Sequence, residues 1–323
     1  MLGVRFSLRI ITFALLCSAA TAGNPRSADD FYRRANLRSA QGDWRGAVED
    51  YSRAIDLATL IGKGSRGPAG DEIRWKSEHN SGNADAPQIK AVDPAVAGLY
   101  LGRGIARYQI GDFHGAVSDT TEAIALQPGM ADAYITRGTA RRKLDLLDGA
   151  IEDFDRAILL EPDNPVARND RGNARKDKGD LKGALEDFDR AILHKPSLAE
   201  AYVNRGIVRH DTGDVDGANA DFDKAIELNP KLSWAHFNRG IGYYKRGDLA
   251  KALAEFTYTI QLDPGCALAY EHRGFTFYRL GRKEESTTDF RASIALNPSL
   301  KSDIEQRLAA AEAQARAGAR NDE

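Results

Sequence analysis

"GALEDFDRAILHKP" (183–196) sets Ala184, Leu185, Phe188, Ala191 and Ile192 at steps of three and four among charged residues, and it stops at a proline. Apolar residues at that spacing share one face of an α-helix, and Pro196 lacks the amide hydrogen that a continuing helix would use. The stretch has copies: "GAIEDFDRAILLEP" ends at Pro162 and "GANADFDKAIELNP" ends at Pro230. Prolines at 128, 162, 196, 230, 264 and 298 keep a constant interval of 34 residues. A fixed period of that length marks stacked supersecondary units, none of which can bury its apolar face alone. The units run 97–130, 131–164, 165–198, 199–232, 233–266 and 267–300, each with two helical runs.

In the unit at 165–198, "PVARNDRGNARKDK" (165–178) forms the first helix and Gly179-Asp180 the break. Glycine ends a helix in the left-handed conformation and aspartate caps the next one. Gly-Asp recurs at 111–112, 213–214 and 247–248; the unit at 131–164 has Asp145-Leu146 instead, and the last has Gly281-Arg282. Gly104, Gly138, Gly172, Gly206, Gly240 and Gly274 stand inside first helices, where glycine costs ~1 kcal/mol against alanine. That cost, repeated at one phase, predicts a close helix–helix contact opposite Ala116, Ala150, Ala184, Ala218 and Ala252. An earlier copy occupies 28–59, around "FYRRANLRSAQGDWRGAVEDYSRAIDLA" (31–58). Residues 60–94, rich in Gly, Pro, Ser and Asn, read as an inserted loop with one short helix over 71–79. Residues 301–317 read as a capping helix, since the last apolar face of an array needs a polar cover.

Gly, Ala, an aromatic, Ala and Pro in one register over six units resemble the tetratricopeptide repeat family. The pattern departs where Thr120 replaces the aromatic and where Thr259, Ser286 and Ser293 replace alanines, and looser local packing is expected there. The resemblance implies an all-α, right-handed superhelical solenoid of antiparallel helix pairs, about seven repeats plus the capping helix. It implies a non-enzymatic scaffold that holds a protein or extended peptide in a concave groove, with no catalytic residue, metal or cofactor. The inward places it assigns carry Asn169, Asp170 and Asn173; Val203, Asn204, Ile207 and His210; Trp234, Phe237, Asn238, Ile241, Tyr244 and Lys245; and His272, Phe275 and Tyr278. Asn204 and Asn238 hold equal places in adjacent units, and an amide both donates and accepts, which suits a peptide backbone. Phe237, Ile241 and Tyr244 share a face and supply anchoring area. Phe275 and Trp234 have the alternative of packing between units. The Lys and Asn places of the family's carboxylate clamp are absent, which speaks against capture of an acidic chain terminus.

One arginine recurs per unit, at 34, 103, 137, 171, 205, 239 and 273, and a carboxylate stands at the matching place in the second helix: Asp50, Asp119, Asp153, Asp187, Asp221, Glu255 and Asp289. Guanidinium and carboxylate form two-pronged bonds, so each pair is expected to join the helices of its own unit. A catalytic group is needed once; a set repeated seven times is scaffold. His79, His114, His194, His210, His236 and His272 lack metal-ligand spacing and are expected on the surface.

A net charge of −2 with 28% charged residues leaves no electrostatic footprint for nucleic acid, and no small-molecule substrate is expected. Arg5 and Arg9 ahead of "IITFALLCSAA" (10–20), then Ala20-Thr21-Ala22, have the layout of a signal peptide over 1–22. The expectation is export to the periplasm, with no transmembrane segment after removal. The alternative is anchoring through this segment, although Leu16 before Cys17 is larger than a lipidation motif carries. Cys266 then remains alone, a small packed residue. Two alternative functions stand beside the scaffold: an enzyme or regulated device in the 60–94 insert, where Asp71, Glu72, Glu78 and His79 could meet, and a self-assembling architectural protein. A loop of that length positions groups poorly for catalysis.

Overall fold

A computed structural model describes residues 25–61 and 94–321. The 1–22 segment, and residues 62–93 with the short helix and alternative site expected there, lie outside the described residues. Among the described residues every regular element is helical. The helices are α1 (Ala28–Ala40), α2 (Trp44–Ile61), α3 (Pro94–Gln109), α4 (Phe113–Leu126), α5 (Ala131–Lys143), α6 (Leu147–Leu160), α7 (Pro165–Asp177), α8 (Leu181–His194), α9 (Ala199–Asp211), α10 (Val215–Leu228), α11 (Ser233–Arg246), α12 (Leu249–Leu262), α13 (Ala267–Arg279), α14 (Lys283–Leu296) and, after a 3-10 turn at Pro298–Leu300, α15 (Lys301–Asn321). The chain forms two compact units, one ending at Ala174 and the other beginning at Arg175. In the first, α1 packs on α2, α3 on α4 and α5 on α6, with α2 on α3 and α4 on α5. In the second, α9 packs on α10, α11 on α12 and α13 on α14, with α8 on α9, α10 on α11 and α12 on α13.

The recurring glycines explain how closely the helices of a pair approach. A Cβ on Gly206 would lie 2.7 Å from Phe222 Cε1, and one on Gly240 would lie 2.7 Å from Phe256 Cε1. Phe154, Phe188, Phe222 and Phe256 are fully buried, so each of these four repeats has one ring as its keystone. Thr120 corrects the expectation of looser packing. Its methyl stands 2.9 Å from the Cβ position of Gly104, and its hydroxyl donates to the Ala116 carbonyl at 2.6 Å. Thr259 is likewise buried and donates to the Glu255 carbonyl at 2.9 Å. A hydroxyl that bonds its own preceding turn needs no space for another partner.

The arginines do more than stitch single units. Arg205 donates from Nε and Nη2 to Asp221 at 3.0 and 2.6 Å, and from Nη1 to Asp189 of the preceding repeat at 2.7 Å. Arg137 reaches Asp153 and Thr121 in the same way, and Arg273 reaches Asp289 and Thr257. One guanidinium therefore joins three helices. The buried Asp221 also accepts from Arg209 Nη1 at 2.9 Å, and such charge-assisted bonds offset the desolvation of its carboxylate. At the end of the second unit, α15 covers the last repeat through Ile304, which is buried, and Arg307, which lies over Phe275 and pairs with Glu271.

Candidate functional site

The first unit contains Asn169 and Asn173, both buried on α7. Asn169 Nδ2 donates to Asp170 Oδ1 at 3.1 Å. Asp170 Oδ2 is shielded from solvent without a hydrogen-bond partner. Burial pushes that carboxyl up to about 6, against the pull of Arg142 and the Asn169 bond.

The second unit gathers more of the expected residues. Its first helices α9, α11 and α13 bring Ile207, Asn238, Ile241 and His272 to one cavity of about 260 Å³, with Phe222 beneath and His210, Asp211 and Lys245 completing the lining. Asp211 and Lys245 are exposed, so charge sits at the mouth and aliphatic surface inside. Asn204, Tyr244 and Tyr278 are half-buried on the same helices and do not line this cavity. Tyr244 has the Arg279 guanidinium over its ring at 4.9 Å. Tyr278 borders a separate opening of about 500 Å³ with Lys283, Ser286 and Phe290.

Three expected groove residues belong to the core instead: Val203, 3% exposed in a cluster with Phe222 and Ala235, and the rings of Phe237 and Phe275. Phe237 is 3% exposed, stacked on Trp234 at 4.9 Å, with His272 edge-on at 5.3 Å and Phe256 at 5.8 Å. Phe275 is 5% exposed, between Phe290 at 4.8 Å and the Arg307 guanidinium at 3.9 Å. Each ring fills the gap between its helix and the next one, where burying aromatic area stabilises more than display would. Asn238 is also partly committed: Nδ2 donates to the Trp234 carbonyl at 2.7 Å, leaving Oδ1 and one N–H for a partner.

One histidine expected on the surface is inside, and a second is half-buried in the cleft. His236 is 6% exposed, with Nδ1 2.8 Å from Glu255 Oε2 and Nε2 3.1 Å from the Pro230 carbonyl. Its sequence signal is a double exchange: His236 stands where Tyr100, Tyr134, Tyr202 and Tyr270 recur, and Glu255 where the other units have Asp. His272 has Nδ1 shielded and without a hydrogen-bond partner. Burial, reinforced by Arg307 and Lys245, pushes its ring down to about 4, so it is neutral at neutral pH, and with Nδ1 shielded it has at most Nε2 for a partner. Among the described residues no group of His, Cys, Asp or Glu is placed to hold a metal ion. No described helix is long and apolar enough to cross a membrane.

Helix pairs keyed by a Gly–Phe contact, carrying a shallow cleft on their first helices, define a repeat scaffold. The tetratricopeptide repeat profile matches residues 101–165, 199–232 and 233–266, and a TPR repeat profile matches 172–213. Over those stretches the chain is built of tetratricopeptide repeats. Among solved structures, a tetratricopeptide repeat protein from Parabacteroides merdae superposes with a TM-score of 0.63 at 17% identity, covering 87% of this chain and 98% of that one. Pseudomonas aeruginosa pilF gives 0.58 at 17% identity, over 66% and 96% of the two chains. The APC/C hetero-tetramer Cut9–Hcn1 gives 0.60 at 15% identity, over 86% and 62%. At these identities the likeness concerns the fold alone. No curated protein matches the chain by sequence.

Proposed function

We propose that this protein is an exported, non-enzymatic adaptor that holds a polypeptide partner against the first helices of its second unit. One observation carries the proposal: Ile207 and Ile241, from successive repeats, wall a cavity in which the uncharged Asn238 and His272 stand beside them, with His210, Asp211 and Lys245 completing the lining. An apolar side chain of an extended partner fits between the isoleucines, and its backbone meets Asn238 Oδ1 and the neutral imidazole. Such contacts are individually modest and add along a stiff surface. Phe222 lines this cleft, and Phe237 packs edge-on against its His272.

Ile241→Glu places a charge in the cavity while the keystone rings themselves are left unchanged. Purified wild type should enrich a subset of a displayed random-peptide library, and Ile241→Glu should enrich none at unchanged helicity. Equal enrichment by both, or none by the wild type, removes the cleft as the binding surface. Export rests on the 1–22 segment, which bears on the address and not on the cleft. The mass of protein recovered from the producing cells should lack those residues; full-length mass would point to anchoring or retention.

A further inference from the structure

In most repeats the arginine and its carboxylate meet through two parallel bonds. Arg205 Nε and Nη2 bind the two oxygens of Asp221 at 3.0 and 2.6 Å, and Arg273 Nε and Nη2 bind those of Asp289 at 2.7 and 2.8 Å. The repeat α11/α12 breaks this geometry. Arg239 Nη2 reaches Glu255 Oε1 at 2.6 Å, but Oε2 has turned to His236 Nδ1 at 2.8 Å. Arg239 Nε is left buried with no hydrogen-bond partner. A buried donor without an acceptor destabilises the fold, so the bond to His236 must compensate for it.

Donor counting shows when it does. The Glu255 carboxylate and the Pro230 carbonyl, on either side of the His236 ring, only accept. A neutral imidazole has one N–H and satisfies one of them; the imidazolium has two and satisfies both. We propose that Glu255 is a proton-controlled selector: it binds His236 when the ring carries both protons, and returns Oε2 to Arg239 Nε when the ring is neutral.

The remaining surroundings fit this exchange. Asp223 on α10 holds Arg239 Nη1 at 2.6 Å, so the guanidinium stays in place whichever oxygen it meets. Tyr258 on α12 lies edge-on to His236 at 4.6 Å and covers it. Burial alone would raise the Glu255 carboxyl, but its bonds from His236 and Arg239 hold it below the usual range. Glu255 therefore stays an ionised acceptor while the charge of the ring is varied. In the protonated state α11 is tied through one ring to both α12 and the turn at Pro230. As pH rises one tie is lost and the two-pronged grip of the other repeats takes its place. None of this requires the cleft to bind anything, so it stands or falls apart from the adaptor proposal.

The test is a pH titration of the full chain followed by nitrogen NMR of its histidine rings and arginine Nε–H groups. At the acid end the His236 ring should show both nitrogens protonated. On raising the pH the Arg239 Nε–H resonance should move toward that of Arg205, in step with His236. His236→Tyr restores the residue of neighbouring repeats; the difference in Tm between it and the wild type should change by ~1–2 °C over the titration, the size expected for one hydrogen bond in a chain of this length. A ring that never carries two protons, or an Arg239 resonance indifferent to His236, overturns the selector. Should His236→Tyr fail to fold, the wild-type titration decides alone.

Discussion

In α9/α10, Phe222 lies against Gly206, and Asp221 is gripped by Arg205 and Arg209. In the next repeat, α11/α12, Phe256 lies against Gly240 at the same distance, but Glu255 is shared between Arg239 and His236, and Tyr243 stands where Arg209 stood. Shape is kept while charge partners are exchanged. The reason is steric. A methyl group added at 2.7 Å from a ring carbon forces the ring or the backbone to move, and a close-packed interior has no slack for that. A carboxylate accepts whichever donor is in reach, so its partners vary as long as donors and acceptors balance.

The packing half of this comparison yields the largest expected effect. Phe222→Ala and Phe256→Ala should each destabilise by ~3–5 kcal/mol, and by nearly equal amounts despite their different electrostatic surroundings. Denaturant unfolding, with hydrogen exchange of α9/α10 and α11/α12 as the local readout, measures both. Costs differing by more than ~2 kcal/mol would mean that the exchanged charges reshape the core after all, and the division between shape and charge would fail.

That division also explains how much the sequence disclosed. Helix pairs, breaks and a close contact at the recurring glycines were readable because these places recur with the period. The sequence set the alanines opposite the glycines, whereas the structure puts the ring of Phe222 or Phe256 nearest. The arginine–carboxylate pairs were readable for the same reason, but their second bond, such as Arg205 to Asp189, was not. Its acceptor place holds Ser52, Thr121, Asp155, Asp189, Asp223 or Thr257, and a place that changes residue type hides from a search for repeats. The inward face was only half legible. Ile207, Asn238, Ile241 and His272 do share a cavity, whereas Phe237 and Phe275 point from the same helices into the gap between repeats. One turn of helix separates a displayed side chain from an interlocked one, and residue type does not distinguish them.

The smallest effect concerns the turns. At α9/α10 the break is Gly213-Asp214: Gly213 has φ +92°, and the Asp214 side chain accepts from the Gly217 N–H at 3.0 Å. At α5/α6 the same place holds Asp145-Leu146, with Asp145 at φ +61° and no side-chain cap on α6. Leu146 is 54% exposed, so replacing it forfeits little burial. Leu146→Asp should cap α6 through the Gly149 N–H and raise stability by ~1 kcal/mol, with Arg141, already bonded to the Gly149 carbonyl at 3.0 Å, nearby to accommodate the new charge. Asp145→Gly should add less, about 0.5 kcal/mol, because relief of the left-handed backbone is largely offset by the greater freedom of glycine in the unfolded chain. Thermal unfolding of the two single variants and the double variant tests whether a Gly-Asp break can be restored piecewise. A double variant no more stable than the wild type would show that Asp145-Leu146 has a compensating contact of its own, and that this turn, like Glu255, has been rewired rather than merely weakened.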